Sequence, residues 1–180
     1  LAAEAYREVV SASPAYVDGH HRLGNVLRRI DPQSAEALQH LEYCVQARPA
    51  HPGYRMELAN AYIAADKEAK AIEQYEALVR MRPKDPQLVN RLANLYMEQG
   101  NDRRAAQLYS TLMEQHPNQV APMVNLAQIH RERGNYEQAL SLLNRSLSND
   151  PDNYYALVER GKAMMAIGNL LDRRAPFSPH

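Results

Sequence analysis

Apolar and small residues recur three and four positions apart along two successive stretches, polar residues fill the gaps, and the whole pattern then begins again. That spacing follows the helix period of about 3.6 residues rather than the strand period of about two, so each cycle predicts a pair of helices of about three to four turns. Three stretches show the cycle in register: "LANAYIAADKEAKAIEQY" from Leu58, "LANLYMEQGNDRRAAQLY" from Leu92 and "LAQIHRERGNYEQALSLL" from Leu126, each 34 residues after the last. Prolines keep the same interval at Pro49, Pro83, Pro117 and Pro151, with Pro14 35 residues before Pro49. A period of this length sets the architecture before any local motif does. It predicts an all-α chain of antiparallel helix hairpins, about ten helices in all.

The columns of the repeat assign roles. Gly100, Gly134 and Gly168 fall between the first and second helix of a cycle, where the chain turns through the left-handed region that glycine tolerates best. The small residues Gly24, Ala59, Ala93, Ala127 and Gly161, and Ala2, Ala37, Ala71, Ala105 and Ala139, mark where the two helices of a hairpin must approach closely. Larger residues fill the rest of the space, in the columns Leu23, Leu58, Leu92, Leu126 and Tyr6, Leu41, Tyr75, Tyr109, Leu143. The cycle from Val17 to His51 carries one extra residue in "IDPQSAEA", where Asp31 is expected to cap a helix beginning at Pro32. Pro52, Pro86 and Pro122 are expected in first turns, where a missing N–H does no harm.

This pattern of Leu-Gly or Leu-Ala, then Tyr, then Ala, then an aromatic residue or Leu, then Pro resembles the tetratricopeptide repeat over residues 1 to about 168. The resemblance implies a right-handed superhelical solenoid. It places a partial repeat at 1–16, repeats at 17–51, 52–85, 86–119 and 120–153, a partial repeat at 154–168 and a tail at 169–180. The chain departs from the family at the early aromatic site, which holds His20, Arg55, Val89, Met123 and Leu157, and at Arg160, which stands where Leu is usual. Residues 1–11 match only a second helix and 154–167 only a first helix, and a stacked repeat needs a capping element at each end. A truncated array is one explanation. The other is that Leu157, Met164 and Leu171 form an association edge, through which the chain would form a homo-oligomer or dock another domain.

Charge and composition narrow the partners. Lys plus Arg and Asp plus Glu number 21 each, so no basic excess exists to neutralise phosphates and nucleic acid is not expected as a ligand. No apolar run approaches the roughly 18 residues of a membrane span, which predicts a soluble chain without membrane insertion. One cysteine precludes an internal disulfide and leaves the compartment open, with the cytoplasm ahead of the periplasm. No phosphate loop, dinucleotide fingerprint or zinc motif is present, so no enzyme activity, cofactor or metal is expected. Cys44 falls in the column Val9, Cys44, Leu78, Leu112, Ser146 and reads as a buried structural thiol. His20 and His21, as helix neighbours, point in different directions and His20 lies in a core column, so with His51 they are not expected to bind a metal; His130 shares a packing column with Tyr62 and Tyr96, and Glu98 and Glu132 read as solvated surface.

What remains is a surface. The resemblance implies that first helices line a concave groove holding an extended peptide or a partner helix. One inward column reads Asn25, Asn60, Asn94, Gln128, Lys162, an amide ladder able to pair with peptide backbone or simply the family's usual residue there. Beside it run His21, Met56, Asn90, Val124, Val158 and, one turn later, Arg28, Ile63, Met97, Arg131, Met165. With Arg29, the N-terminal end is basic, and an aliphatic stripe follows; the predicted ligand has acidic residues at one end and aliphatic or aromatic anchors further along. Padding of the inner surface is the competing reading of the stripe. The two-carboxylate clamp of chaperone adaptors is not expected. In one register the matching sites hold His21, Asn25, Glu57, Gln87 and Arg91, and in the other Asn90, Asn94, Asn125, Tyr155 and Glu159. A non-catalytic interaction scaffold is therefore the expected function, with two alternatives: a recognition or assembly segment of a larger enzyme such as a glycosyl- or sulfotransferase, or a homo-oligomeric assembly module.

Overall fold

The computed structural model describes residues 1–174, and every regular element among them is a helix. In chain order they are α1 (Ala2–Ala12), α2 (Val17–Ile30), α3 (Ala35–Ala47), α4 (Pro52–Ala64), α5 (Glu68–Met81), α6 (Pro86–Glu98), α7 (Asp102–Gln115), α8 (Val120–Glu132), α9 (Tyr136–Asn149) and α10 (Tyr154–Arg174). The chain divides into two compact units, Leu1–Leu95 and Tyr96–His180.

In the first unit each helix from α1 to α4 packs on the next. The core joins Leu38, Leu41, Cys44 and Val45 of α3 to Tyr54, Leu58, Ala61 and Tyr62 of α4 and Ala71 of α5. The small column works as the close approach it was read to be. A Cβ on Gly24 would lie 3.0 Å from Leu41 Cγ and 3.2 Å from the Ala37 carbonyl oxygen. In α1 the buried alanine is Ala3, while Ala2 is exposed. Ala2 stands where a second helix meets its own first helix, and α1 packs instead on α2, the helix that follows it, with Arg7 also paired to Glu36 of α3.

In the second unit α8 packs on α7, α9 and α10, and α9 on α10. Its core brings Val124 and Ala127 of α8 against Ala139, Leu143 and Leu147 of α9 and Ala156 of α10.

Turn chemistry follows the repeat with two corrections. Gly100 and Gly134 adopt φ of +76° and +78°, and Asp66 takes the equivalent place in the α4–α5 turn at φ 55°, a conformation aspartate tolerates better than most residues. Gly168 makes no turn. It lies within α10, which runs unbroken to Arg174, so the boundary expected at residue 168 falls inside a helix. Among the described residues no element follows α10, and a Cβ at Gly168 would meet nothing within 4 Å. Residues 175–180 of the expected tail lie outside the described residues. The second correction concerns Asp31, which does not begin α3. Its Oδ1 accepts from Gln33 N at 2.9 Å, and α3 starts at Ala35 with Ser34 Oγ accepting from Ala37 N at 3.2 Å. The extra residue thus lengthens the turn and leaves the α2–α3 hairpin intact. Pro52 and Pro86 open α4 and α6, and Pro122 is the third residue of α8.

A pair of histidines ties α2 to α3. The Pro14 carbonyl can only accept, so His20 donates to it from Nε2 (2.9 Å), which leaves His20 Nδ1 to accept from His40 Nδ1–H at 2.8 Å. Burial, then the neighbouring His20, hold the His40 pKa below the ordinary histidine range; Glu36, 3.9 Å from His40 Nε2 and itself paired with Arg7, opposes this without reversing it. A histidine with a depressed folded pKa stabilises the fold in full above about pH 6.5, and the contribution is lost as pH falls through the folded value. Thermal unfolding between pH 7.5 and pH 5 should therefore show a loss that His40→Gln reduces. The bond between the rings contributes about 0.5–1.5 kcal/mol. Identical pH slopes for parent and variant would show that this pair does not titrate with folding.

Candidate interaction surface on the first helices

In the first unit two carboxylates join the side chains of α2 and α4, Glu57 and Asp18. Glu57 of α4 reaches across to α2, where its Oε2 accepts from His21 Nε2 at 2.5 Å and from Asn25 Nδ2 at 2.9 Å. Arg28 then donates to Asn25 Oδ1 at 3.3 Å. Glu57 thereby orients the amide and the imidazole, while Arg28 Nε is buried without a partner. Behind them the Tyr54 ring lies 5.0 Å from that of His21, and its hydroxyl donates to Asp18 at 3.0 Å. An open pocket of about 320 Å³ runs along α2, lined by Tyr6 of α1 and by His21, Arg22, Asn25, Val26 and Arg29.

Further along the same unit, Asn60 accepts from the Tyr75 hydroxyl at 3.0 Å. Met56 and Ile63 are half-buried beside it on α4. On α6, Asn90 and Asn94 are half-buried, and Asn90 Oδ1 is a buried acceptor without a partner.

In the second unit Glu159 of α10 plays the part that Glu57 plays in the first. Its Oε2 accepts from Arg131 Nε of α8 at 2.8 Å and its Oε1 from Lys162 Nζ at 2.7 Å. Burial alone would raise the Glu159 pKa, but the hydrogen bonds from Lys162 and Arg131, with their charges, bring it below the ordinary glutamate range. Gln128 donates to Glu132 at 3.0 Å, and Arg131 donates to the same carboxylate at 3.2 Å. Beside this network a pocket of about 280 Å³ with mainly apolar walls opens between Val120, Ala121, Val124 and Asn125 of α8 and Asn153 and Tyr155 at the start of α10. Asn125 donates to the Tyr109 hydroxyl at 3.2 Å. Val158 is half-buried, and Met165 is 70% exposed. Met97 is half-buried in the last turn of α6.

The residues expected to face a ligand therefore stand on first helices, but several of the ladder's groups are already engaged. Asn25, Gln128 and Lys162 each donate to a carboxylate of the chain itself, and Asn60 accepts from a tyrosine. In the sequence Glu57 and Glu159 stand only as residues at which the cations of a carboxylate clamp are missing, and their place at the centres of these networks is not apparent there. A signal was present, because Glu57 and Glu159 share one column of the repeat, three periods apart. Tyr155 was likewise passed over as a pocket wall. Of the other histidines considered, His51 caps α4 by accepting from Tyr54 N, and His130 is half-buried with Nδ1 unpartnered. Leu157, Met164 and Leu171 lie seven residues apart on α10, 40%, 59% and 62% exposed.

A family model described as "Tetratricopeptide repeat" matches residues 33–95, 64–129 and 97–161. No curated protein sequence matches the chain. Among solved structures, that of MamA is 18% identical and aligns over 83% of this chain and 86% of its own, with a TM-score of 0.67. A tetratricopeptide repeat protein from Parabacteroides merdae ATCC 43184 is 20% identical, aligned over 96% of this chain and 68% of its own, with a TM-score of 0.71. YrrB, described as a TPR protein with an unusual peptide-binding site, is 17% identical, aligned over 98% and 95%, with a TM-score of 0.62. At these identities the likeness is one of fold. Among the described residues no helix is long and apolar enough to cross a membrane.

Proposed function

Because the chain belongs to the tetratricopeptide repeat family, we propose that it is a non-catalytic protein-interaction scaffold that holds an extended peptide or partner helix against its first helices. The observation that carries this reading is the pocket between α8 and α10, where Val120, Ala121, Val124 and Tyr155 offer apolar walls and Asn125 an amide at the rim. Such a pocket suits one aliphatic or aromatic side chain of a ligand whose backbone stays in the open. In the first unit, Arg28 with its unpartnered Nε, and the exposed Arg29, suit an acidic residue. His21 and Asn25 would have to be shared between that residue and Glu57. The peptide-binding site named for YrrB is in keeping with this use of the fold.

The test is fluorescence anisotropy with a set of labelled extended peptides, each carrying one Leu or Phe, half of them with an Asp as well and half with Asn in its place. The parent should select among them, and Tyr155→Ala should weaken the selected peptides at least about tenfold, the equivalent of about 1.4 kcal/mol. Arg28→Ala should weaken only those that contain Asp. Binding indifferent to Tyr155→Ala, or no binding tighter than about 1 mM, would remove the basis for the reading.

A further inference from the structure

The histidine pair between α2 and α3 is arranged as a pair of metal ligands is. Each ring is turned so that Nε2 faces an acceptor and Nδ1 faces the other ring. His20 Nε2 lies 2.9 Å from the Pro14 carbonyl oxygen, His40 Nε2 lies 3.9 Å from Glu36 Oε1, and the two Nδ1 atoms are 2.8 Å apart. Tyr43 stacks on His20 at 4.1 Å between ring centroids. A backbone carbonyl or a carboxylate behind one ring nitrogen is the arrangement that holds a histidine with its other nitrogen free for a metal. Without an ion the pair carries a mismatch. Neutral His40 has one ring proton, and placing it on Nδ1 for the bond to His20 leaves the Nε2 lone pair toward the Glu36 carboxylate. A cation between the Nδ1 atoms takes the place of that proton, which then moves to Nε2 on the side of Glu36.

We propose that His20 and His40 bind one divalent transition-metal ion through their Nδ1 atoms, and that the ion is of the tetragonal kind, copper(II) first. With metal–nitrogen bonds of about 2.0 Å, two ligands in neighbouring square positions stand about 2.8 Å apart, and two tetrahedral ligands about 3.3 Å. The separation in this chain, 2.8 Å, is the square one. Each ring has only to turn until both lone pairs meet beside the line joining the nitrogens. Among copper(II), nickel(II) and zinc(II), nitrogen ligands hold copper(II) most tightly. Arg7 donates to both oxygens of Glu36, at 2.8 and 2.7 Å, so its charge is already balanced beside the site. Among the described residues no group of three metal-binding side chains gathers, so water completes the coordination. It enters beside His40, whose side chain is 18% exposed, since His20 is buried. In the sequence His20 stands next to His21, but the ring it meets belongs to His40, 20 positions away on another helix. The site does not depend on peptide binding by the first helices.

Calorimetric titration of the chain with copper(II), in a buffer that does not bind metal, tests it together with electron paramagnetic resonance of the product. One ion per chain should bind with a Kd of about 10 µM, and its spectrum should show coupling to two imidazole nitrogens. His20→Gln and His40→Gln should each weaken that binding by at least the roughly tenfold that losing an outer partner of a ligand costs, with parental helicity by circular dichroism. His51→Gln should leave it unchanged. Copper held as tightly by either of the first two variants as by the parent, the result expected of an adventitious ion at the amino terminus or on exposed side chains, would overturn the proposal. So would binding no tighter than about 1 mM. A parental spectrum without two imidazole nitrogens would overturn it as well, and that result does not rely on any variant folding.

Discussion

Leu143→Ala should destabilise the chain by about 2–5 kcal/mol. Leu143 is fully buried in α9, against Val124 and Ala127 of α8 and Ala156 of α10. Two of these neighbours are alanines, whose side chains are too short to move into the space that the lost isobutyl group leaves. The cavity term therefore adds to the transfer term rather than relaxing away. Leu143→Met keeps the volume and should cost less than about 1.5 kcal/mol. Urea unfolding of both variants measures the difference. A loss under about 1 kcal/mol for the alanine variant would mean that α8 and α10 close over the gap, and that the small columns do not fix the helix spacing.

Glu159→Ala should cost about 1–3 kcal/mol near neutral pH, and the cost should vanish in acid. The carboxylate is the shared acceptor of Arg131 and Lys162, and its side chain is only 10% exposed while that of Lys162 is 53% exposed, which tempers the expected loss. Its folded pKa lies below the unfolded value of about 4.3. The stabilisation is therefore complete above about pH 4.3 and lost as pH falls through the folded value. Melting curves of parent and variant should converge toward pH 3. A gap that persists there would assign the effect to packing instead of charge. At neutral pH the variant also frees Lys162 and leaves Arg131 its bond to Glu132 alone, so acidic peptides should bind it more tightly than the parent.

Hairpins were legible because one period of 34 residues repeats the same apolar, small and turn positions, and each repetition tests the others. Gly134 and Gly168 show where that legibility stops. They occupy the same column, yet one turns at positive φ and the other lies inside α10. What differs is the stretch that follows each glycine: the small column that a second helix needs holds Ala139 after Gly134 but Arg173 after Gly168. The centres of the two polar networks were harder to read for another reason. Glu57 and Glu159 share a column, but the first draws His21 from 36 positions away and the second Arg131 from 28. Donors chosen by side-chain reach across neighbouring helices do not recur at a fixed offset, so a column can locate the acceptor without naming its partner.

Cys44, the one cysteine in the sequence, is fully buried in α3, its thiol donating to the Val17 carbonyl oxygen at 3.5 Å. Burial, with Glu57 and Asp18 adding to it, pushes its pKa up to about 11. The closed hairpin is thus silent twice over to a thiol reagent, shielded from it and held in the unreactive protonated form. Labelling can proceed only when α3 parts from α2 and α4, which makes its rate a stopwatch for the opening of that one region, read without a mutation or an added dye.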